Sequence, residues 1–207
     1  VSQSPRIAVL DYGIGNLRSA QKALEKVGAD AQLTSDPVVV SAADAVVLPG
    51  VGAFGACMNA LRVVGLETAV HDAVASGVPF LGICVGMQML FDDSEEDPEA
   101  LGLGVIPGSV KWIPSTVQRP QMQWNQLSLT QKDPLFEGLG AEPWMYFVHS
   151  LHGVPLDSSD IAATVQYGKT LNVAFRRGNV FATQFHPEKS AEAGLGLLAN
   201  FVKAAAS

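Results

Sequence analysis

The sequence predicts an α/β fold: a single open, mainly parallel sheet flanked by helices, with added antiparallel strands. Three observations carry this. In the N-terminal half, short runs that are apolar throughout alternate with stretches of helical spacing. In the C-terminal half, strand-like runs follow one another closely, with a hairpin turn between the last two. Apolar residues make up 48% of the 207 residues and charged residues only 16%, against about 25% charged in an average soluble chain. That balance supplies enough apolar surface for a buried sheet and argues against disorder. The length suits one domain spanning 1–207.

The elements follow in order. Ile7 to Leu10 is a short apolar run that ends at Asp11-Tyr12-Gly13, a strand running into a loop. Leu17, Ala20, Leu24 and Val27 then recur at helical spacing, and Gly28 stands where a C′ glycine closes a helix. Ala31 to Thr34 reads as a second strand. Ala45 to Leu48 reads as a third, ending in the glycine-rich PGVGAFG. Leu66, Val70, Ala73 and Val74 mark a helix that stops at Gly77, and Val78 to Ile83 is a fourth strand leading into Cys84. Such strands, separated by helices, imply a parallel sheet covered on both faces. Further strands are expected at 105–113, 122–129, 144–151, 162–167, 171–175 and 180–185. Arg177-Gly178-Asn179 forms the hairpin turn, and a last helix carries Leu195, Leu198 and Val202 on one face. Ligands of open α/β sheets bind beyond the carboxyl ends of the strands, which points to residues 50–55 and 84–88.

Charge and composition narrow the function classes. The net charge is −7, but Asp92 to Glu99 holds six of the acids, leaving 14 acids against 13 bases elsewhere. No Lys/Arg cluster could track a phosphate backbone, so nucleic-acid binding is not expected. The apolar run at 45–58 is broken by Pro49 and glycines, short of the roughly 20 residues of a bilayer helix. The opening VSQSPRIAVLDYG lacks the pattern of a secretory signal, so the expectation is a cytoplasmic protein without a membrane span. Cys57 and Cys84 are too few for a disulfide scaffold, and no CxxC suggests zinc. No metal or cofactor is expected. The acidic run lacks the alternation of a calcium loop and reads as a solvated segment outside the chemistry. Gly13 and Gly15 do not complete a dinucleotide fingerprint, since Arg18 occupies the third position.

The strongest local pattern is Gly82-Ile83-Cys84-Val85-Gly86 between a strand and the helical run Met87, Leu90, Phe91. It matches a nucleophile elbow, in which a sharp strand-to-helix turn lifts one side chain out of the sheet. At a helix N-terminus Cys84 would gain thiolate character from exposed N–H groups and the dipole. A thiolate nucleophile needs a base and a group that orients it. His186 stands in Gln184-Phe185-His186-Pro187-Glu188, and residues two apart on extended chain point the same way, so Glu188 can hold the His186 tautomer. Acyl transfer also needs oxyanion donors. Backbone N–H groups at Val51 and Gly52, in Pro49-Gly50-Val51-Gly52, and at Val85 are the candidates, and a glycine-rich loop can turn a peptide plane at small cost. His149 and Ser150, ending the WMYFVHS strand, are either substrate contacts or a capped strand end. Cys57 reads as core; His71 and His152 read as solvated.

With GICVGMQ and QFHPEKS both present, the sequence resembles the class I (triad) glutamine amidotransferases, and among them the glutaminase subunits of imidazole glycerol phosphate synthase. Four further segments match that group: Asp11-Tyr12-Gly13-x-Gly-Asn16-Leu17-x-Ser19, Pro49-Gly50-Val51-Gly52-Ala53-Phe54, Pro120-x-Met122-x-Trp124-Asn125, and Tyr146-Phe147-Val148-His149-Ser150. The match runs from about residue 6 to 203. The resemblance implies a flavodoxin-like core and the hydrolysis of glutamine to glutamate and ammonia. Cys84 would attack the side-chain amide, His186 would shuttle the proton and Glu188 would orient His186. Gly52, Gln88 and the backbone near His149 and Ser150 would hold the glutamine. It further implies a heterodimer with a (β/α)8-barrel cyclase subunit, which uses the ammonia to make imidazole glycerol phosphate and an aminoimidazole carboxamide ribotide in histidine biosynthesis. Asn16, Tyr146 and Lys189 match positions near that interface.

One departure stands out: Gln123 occupies a position that is commonly glycine in the group, which implies a local shift, at the interface rather than the triad, if that glycine has positive φ or closely approaches a partner. A docking subunit that no longer hydrolyses, a related glutaminase such as the pyridoxal phosphate synthase or anthranilate synthase subunit, and a cysteine-elbow peptidase or deglycase stay open. The low charge gives a weakly polar surface, which an interface more apolar than an average surface would use.

Overall fold

The computed structural model describes residues 4–207. In chain order the elements are β1 (Arg6–Leu10), α1 (Leu17–Lys26), β2 (Asp30–Thr34), α2 (Pro37–Ser41), β3 (Ala45–Gly50), α3 (Phe54–Val63), α4 (Leu66–Ser76), β4 (Phe80–Cys84) and α5 (Val85–Gln88). Then come β5 (Asp93–Ser94), β6 (Gly108–Trp112), β7 (Gln121–Gln126), β8 (Ser128–Leu129), β9 (Trp144–His149), β10 (Leu151–Pro155), β11 (Ile161–Tyr167), β12 (Lys169–Arg177), β13 (Val180–Thr183) and α6 (Ala191–Ala205).

The main sheet has eight strands in the order β2-β1-β3-β4-β13-β12-β11-β8. The pairs from β2 to β13 are parallel and those from β13 to β8 antiparallel. Every residue of β3, β4 and β13 is buried, as expected of strands covered on both faces. The chain supplies that cover by reversing direction. It runs from β1 outward to β2, then back past β1 to β3 and β4. Right-handed crossovers then place α1 on one face and α2 to α4 on the other. The reversal between β1 and β3 is the switch point where such sheets leave a crevice beyond the strand ends.

The open, mainly parallel sheet is thus present, but several added strands lie outside it. β10, β6 and β5 form a three-stranded sheet, and β7 with β9 forms a two-stranded ribbon. The run 144–151, which reads as one strand, breaks at Ser150: β9 pairs with β7, while β10 pairs with β6. The run of β-branched residues at 38–40 gives no helical pattern, yet α2 forms there. Asp36 caps it by accepting from the Val38 N–H at 2.9 Å, with Pro37 at its first position. The hairpin turn forms where expected, with Gly178 at φ 57° between paired Arg177 and Val180. Gln123 lies in the regular β7–β9 ladder opposite Phe147, without a positive φ. The backbone at Gln123 therefore needs no glycine conformation.

Candidate active site

The end of β4 is a strand-to-helix elbow. Cys84 sits at φ 56° and ψ −116°, a sparsely populated conformation that costs a non-glycine residue about 1–3 kcal/mol. The surroundings enforce it. A side chain at Gly86 would collide with the Leu48 carbonyl of β3, and one at Gly82 with Leu90 and the Met87 backbone. The helix that follows is short: α5 covers four residues, after which Leu90 and Phe91 continue with tighter turns donating to the Met87 and Gln88 carbonyls. One turn carries little dipole, so the expected dipole contribution to Cys84 is small, and close polar groups must act on the sulfur instead.

Two such groups are in place. Gln184 Nε2 lies 3.8 Å from Cys84 Sγ, and Gln184 is itself oriented by Gln88 Nε2, which donates to its Oε1 at 3.0 Å. His186 is the other. Its Nδ1 lies 2.8 Å from Glu188 Oε1, both side chains being almost wholly buried. Its Nε2 is buried without a hydrogen-bond partner. Burial alone would lower the His186 pKa, but the adjacent Cys84 and the Glu188 carboxylate outweigh it and raise the value to about 10. The sequence supplies this alignment simply. His186 and Glu188 flank Pro187 in a tight turn after β13, and Ser190 ties that turn to β9. The Ser190 hydroxyl donates to the His186 carbonyl at 2.6 Å and accepts from the Tyr146 N–H at 2.9 Å.

These groups open into a cleft of about 270 Å³ lined by Val51, Gly52, Cys84, Val85, Gln88, Glu96, Pro120, Val148, His149, Ser150, Leu151, His186 and Lys189. It therefore gathers Cys84, His186, Val51, Gly52, Val85, Gln88, His149, Ser150 and Lys189 from distant parts of the chain. Glu188 lies behind His186. Tyr146 borders the site through its carbonyl, which accepts from the His186 N–H at 3.1 Å. Asn16 stands apart at the N-cap of α1, the helix packed on the Pro187–Lys189 turn.

The loop after β3 is in a defined position. Val46 N–H donates to the Pro79 carbonyl, and the β3–β4 register pairs Gly50 with Cys84. The Gly50 carbonyl lies at the end of that ladder. The Val51 N–H shares the trans peptide plane of that carbonyl and points the opposite way.

Side chains expected to be peripheral are also fixed. His149 is buried, with Nδ1 2.6 Å from the Leu151 carbonyl and Nε2 2.8 Å from the Gln121 amide. Burial, chiefly, lowers its pKa to about 4. As placed, Gln121 Oε1 faces Nε2 and its NH2 is unpartnered; a neutral imidazole that donates from Nδ1 accepts at Nε2, so the Gln121 amide must turn over to pair with it. Only the backbone and Ser150 are left to meet a ligand here. His152 is buried rather than solvated, with neither ring nitrogen partnered.

The acidic run is only partly solvated. Glu96 accepts from the Phe54 N–H at 2.7 Å at the start of α3 and lines the cleft. Asp92 and Glu95 accept from the Gly108 and Trp112 N–H groups. Glu96 and Gln184 are the site residues that sequence reasoning missed. Gln184 stands two residues before His186, but Glu96 had no spacing signal at all. Among the described residues no His/Cys/Asp/Glu group could hold a metal ion, and no helix is long and apolar enough to cross a membrane.

Comparison with known proteins agrees with this geometry. The family described as "Glutamine amidotransferase class-I" matches residues 8–205. The imidazole glycerol phosphate synthase subunit HisH of Salinibacter ruber is 50% identical over 200 residues, covering 93% of this chain and 92% of that protein. The HisH of Synechococcus elongatus is 52% identical over 206 residues, covering 98% and 94%. Among solved structures, one described as a glutamine amidotransferase aligns with a TM-score of 0.77 at 25% identity, covering 97% of this chain and 99% of that one. PurLQS from Thermotoga maritima aligns at 0.78 and 21%, sharing the fold, with 97% and 98% covered. With a family match over nearly its whole length and an elbow cysteine beside a buried His–Glu pair, the chain belongs to the class-I glutamine amidotransferases.

Proposed function

We propose that the chain is the glutaminase subunit of an imidazole glycerol phosphate synthase, acting as one amidotransferase domain over 1–207. The observation that carries the chemistry is Cys84, on a strained elbow, facing a buried His186 whose other nitrogen is 2.8 Å from Glu188. Relatives at 50–52% identity support the choice of synthase.

Glutamine enters the cleft with its amide beside Cys84. Gln88 and the backbone at Gly52 and Ser150 hold the rest of the molecule, and the Glu96 carboxylate meets the α-ammonium group. Cys84 attacks the amide carbon as thiolate, with His186 as imidazolium. His186 protonates the departing ammonia, leaving a glutamyl thioester. Water, deprotonated by His186, then attacks the thioester and releases glutamate and the Cys84 thiolate. Glu188 keeps the imidazole in the productive tautomer throughout. The tetrahedral intermediates place negative charge on oxygen, which the N–H groups of Val51 or Gly52 and of Val85 stabilise. The glycine-rich loop can turn the Gly50–Val51 peptide at small cost; we assign that turn to the cyclase-bound state, and a slow isolated subunit follows.

The ammonia passes to a cyclase partner. Support for the docking face lies on the β7–β9 ribbon, where Met122, Trp124 and Trp144 are 62%, 43% and 51% exposed beside Tyr146, whose ring meets Trp124 edge-on. Lys189 lies at the cleft rim. The cell compartment is cytoplasmic, as for the biosynthetic reaction.

Ammonia release from glutamine, measured with and without the purified cyclase and its ligand, tests this. The expected result is strong stimulation by the ligand-bound cyclase and none in Cys84→Ala. Activity retained in Cys84→Ala, or absent from the wild-type complex, overturns the reading.

A further inference from the structure

Two buried side chains grip the loop after β3 from beneath and have no place in the chemistry above. Tyr12, in the loop after β1, is 2% exposed and donates its hydroxyl to the Pro49 carbonyl at 2.6 Å. Cys57, on α3 and wholly buried, directs its thiol to the Val51 carbonyl at 3.2 Å. Burial, above all, pushes both groups up, so both stay protonated donors at neutral pH.

The two accepting carbonyls belong to the peptide planes on either side of Gly50–Val51. The Pro49–Gly50 plane is held by Tyr12 and the Val51–Gly52 plane by Cys57. Between them lies the Gly50–Val51 plane, at the end of the β3–β4 ladder, where Gly50 pairs with Cys84. One plane can turn between two fixed neighbours by opposite changes in the torsions at its two ends, because the peptide itself is rigid. Gly50 is needed at that pivot, since a side chain there would strike the Gly86 N–H group and the Tyr12 hydroxyl. Were the neighbours free, the motion would spread along the loop. The donors would then miss the narrow range, about 2.7–3.1 Å from the oxyanion, in which they act.

We infer that Tyr12 is a positioning residue for the glutaminase reaction, with Cys57 as a weaker second pin: together they confine the conformational change of the loop to the Gly50–Val51 peptide and hold its N–H in register once turned. The inference rests on the glutaminase reading given above.

The test uses the assembled complex with the cyclase and its ligand. Tyr12→Phe keeps the ring and removes the donor. Its kcat for glutamine should fall about tenfold, short of the 10²–10³ of losing an oxyanion donor outright, with KM changed less than about twofold. Alkylation of Cys84 by iodoacetamide builds no oxyanion, so its rate should stay within about twofold of wild type. A wild-type kcat overturns the inference. So does a parallel loss of kcat and alkylation, which would make Tyr12 a mere support of the elbow.

Cys57 supplies a second measurement should Tyr12→Phe not fold. Cys57→Ala should lose about threefold in kcat, a modest loss because a thiol is a weak donor, and Cys57→Ser should restore it. Equal loss in both variants, or none in either, overturns the pin. Failure of the glutaminase reading itself would look different, as no ammonia from the wild-type complex.

Discussion

Cys84 and His186 are held by unlike means. The cysteine is fixed by backbone collision, since Gly82 and Gly86 are pressed against Leu90 and Leu48. The histidine is fixed by hydrogen bonds through Glu188 and the Ser190 hydroxyl. Glu188→Gln keeps the shape but loses the negative charge and admits the wrong tautomer. The stimulated glutaminase kcat should fall by at least about 100-fold, within the range known when the third member of a triad loses its charge. Glu96 calls for a different readout. Its carboxylate is spent partly on the Phe54 N–H and partly on the cleft, so Glu96→Gln should raise KM for glutamine about tenfold while kcat changes little. That outcome reverses the expectation drawn from the acidic run, in which 92–99 stayed solvated. The grouping of Cys84, His186 and Glu188 was readable because Cys84 lies in an elbow and His186 and Glu188 are two residues apart. Glu96 was not, because only the packing of its loop against α3 brings it to the cleft.

At the scale of elements, the parallel strands were legible because each is a short apolar run closed by a glycine, a proline or a turn. The C-terminal strands were located but not correctly partnered. An apolar run carries the same periodicity whether it stays in one sheet or passes to another, so the break at Ser150, where the chain leaves β9 for β10, was invisible. That break forms one wall of the cleft, where Val148 to Leu151 line it. The close approach of β3 to α5 can be tested directly. Gly86→Ala places a methyl against the Leu48 carbonyl in a strand that cannot retreat. Overpacking of this kind costs about 1–3 kcal/mol, which for a chain of this size lowers the thermal midpoint by about 5 °C.

Across the whole molecule, buried histidines set opposing pH responses. His149 and His152 both have pKa values lowered to about 4, chiefly by burial, against about 6.5 when unfolded. The unfolded chain therefore takes up protons first on acidification. Their contribution to stability is complete above about pH 6.5 and is lost as pH falls to about 4. His186 runs the other way: raised to about 10, it contributes most below about pH 6.5 and loses that contribution as pH climbs toward 10. Denaturant titrations from pH 4 to 10 should show stability declining at both ends, and His152→Phe should flatten the acid limb. The exposed ribbon gives a prediction at the same scale. Trp124→Ala should weaken binding of the cyclase by at least about tenfold, as loss of a central aromatic anchor does, while Cys84 alkylation in the free subunit stays unchanged.

The sequence by itself determined the α/β class, the order of the parallel strands' elements, the elbow at Cys84, the His186–Glu188 pair and the family, because these depend on local spacing and on short contiguous motifs. Tertiary structure alone decided that Glu96 reaches the cleft and Gln184 approaches Cys84, that the added strands divide among three sheets, that α5 is too short to lend much dipole, and that Tyr12 and Cys57 hold the Pro49 and Val51 carbonyls. Each of these is a contact between residues far apart in the chain, and no spacing rule encodes which apolar face or carbonyl a distant side chain will meet.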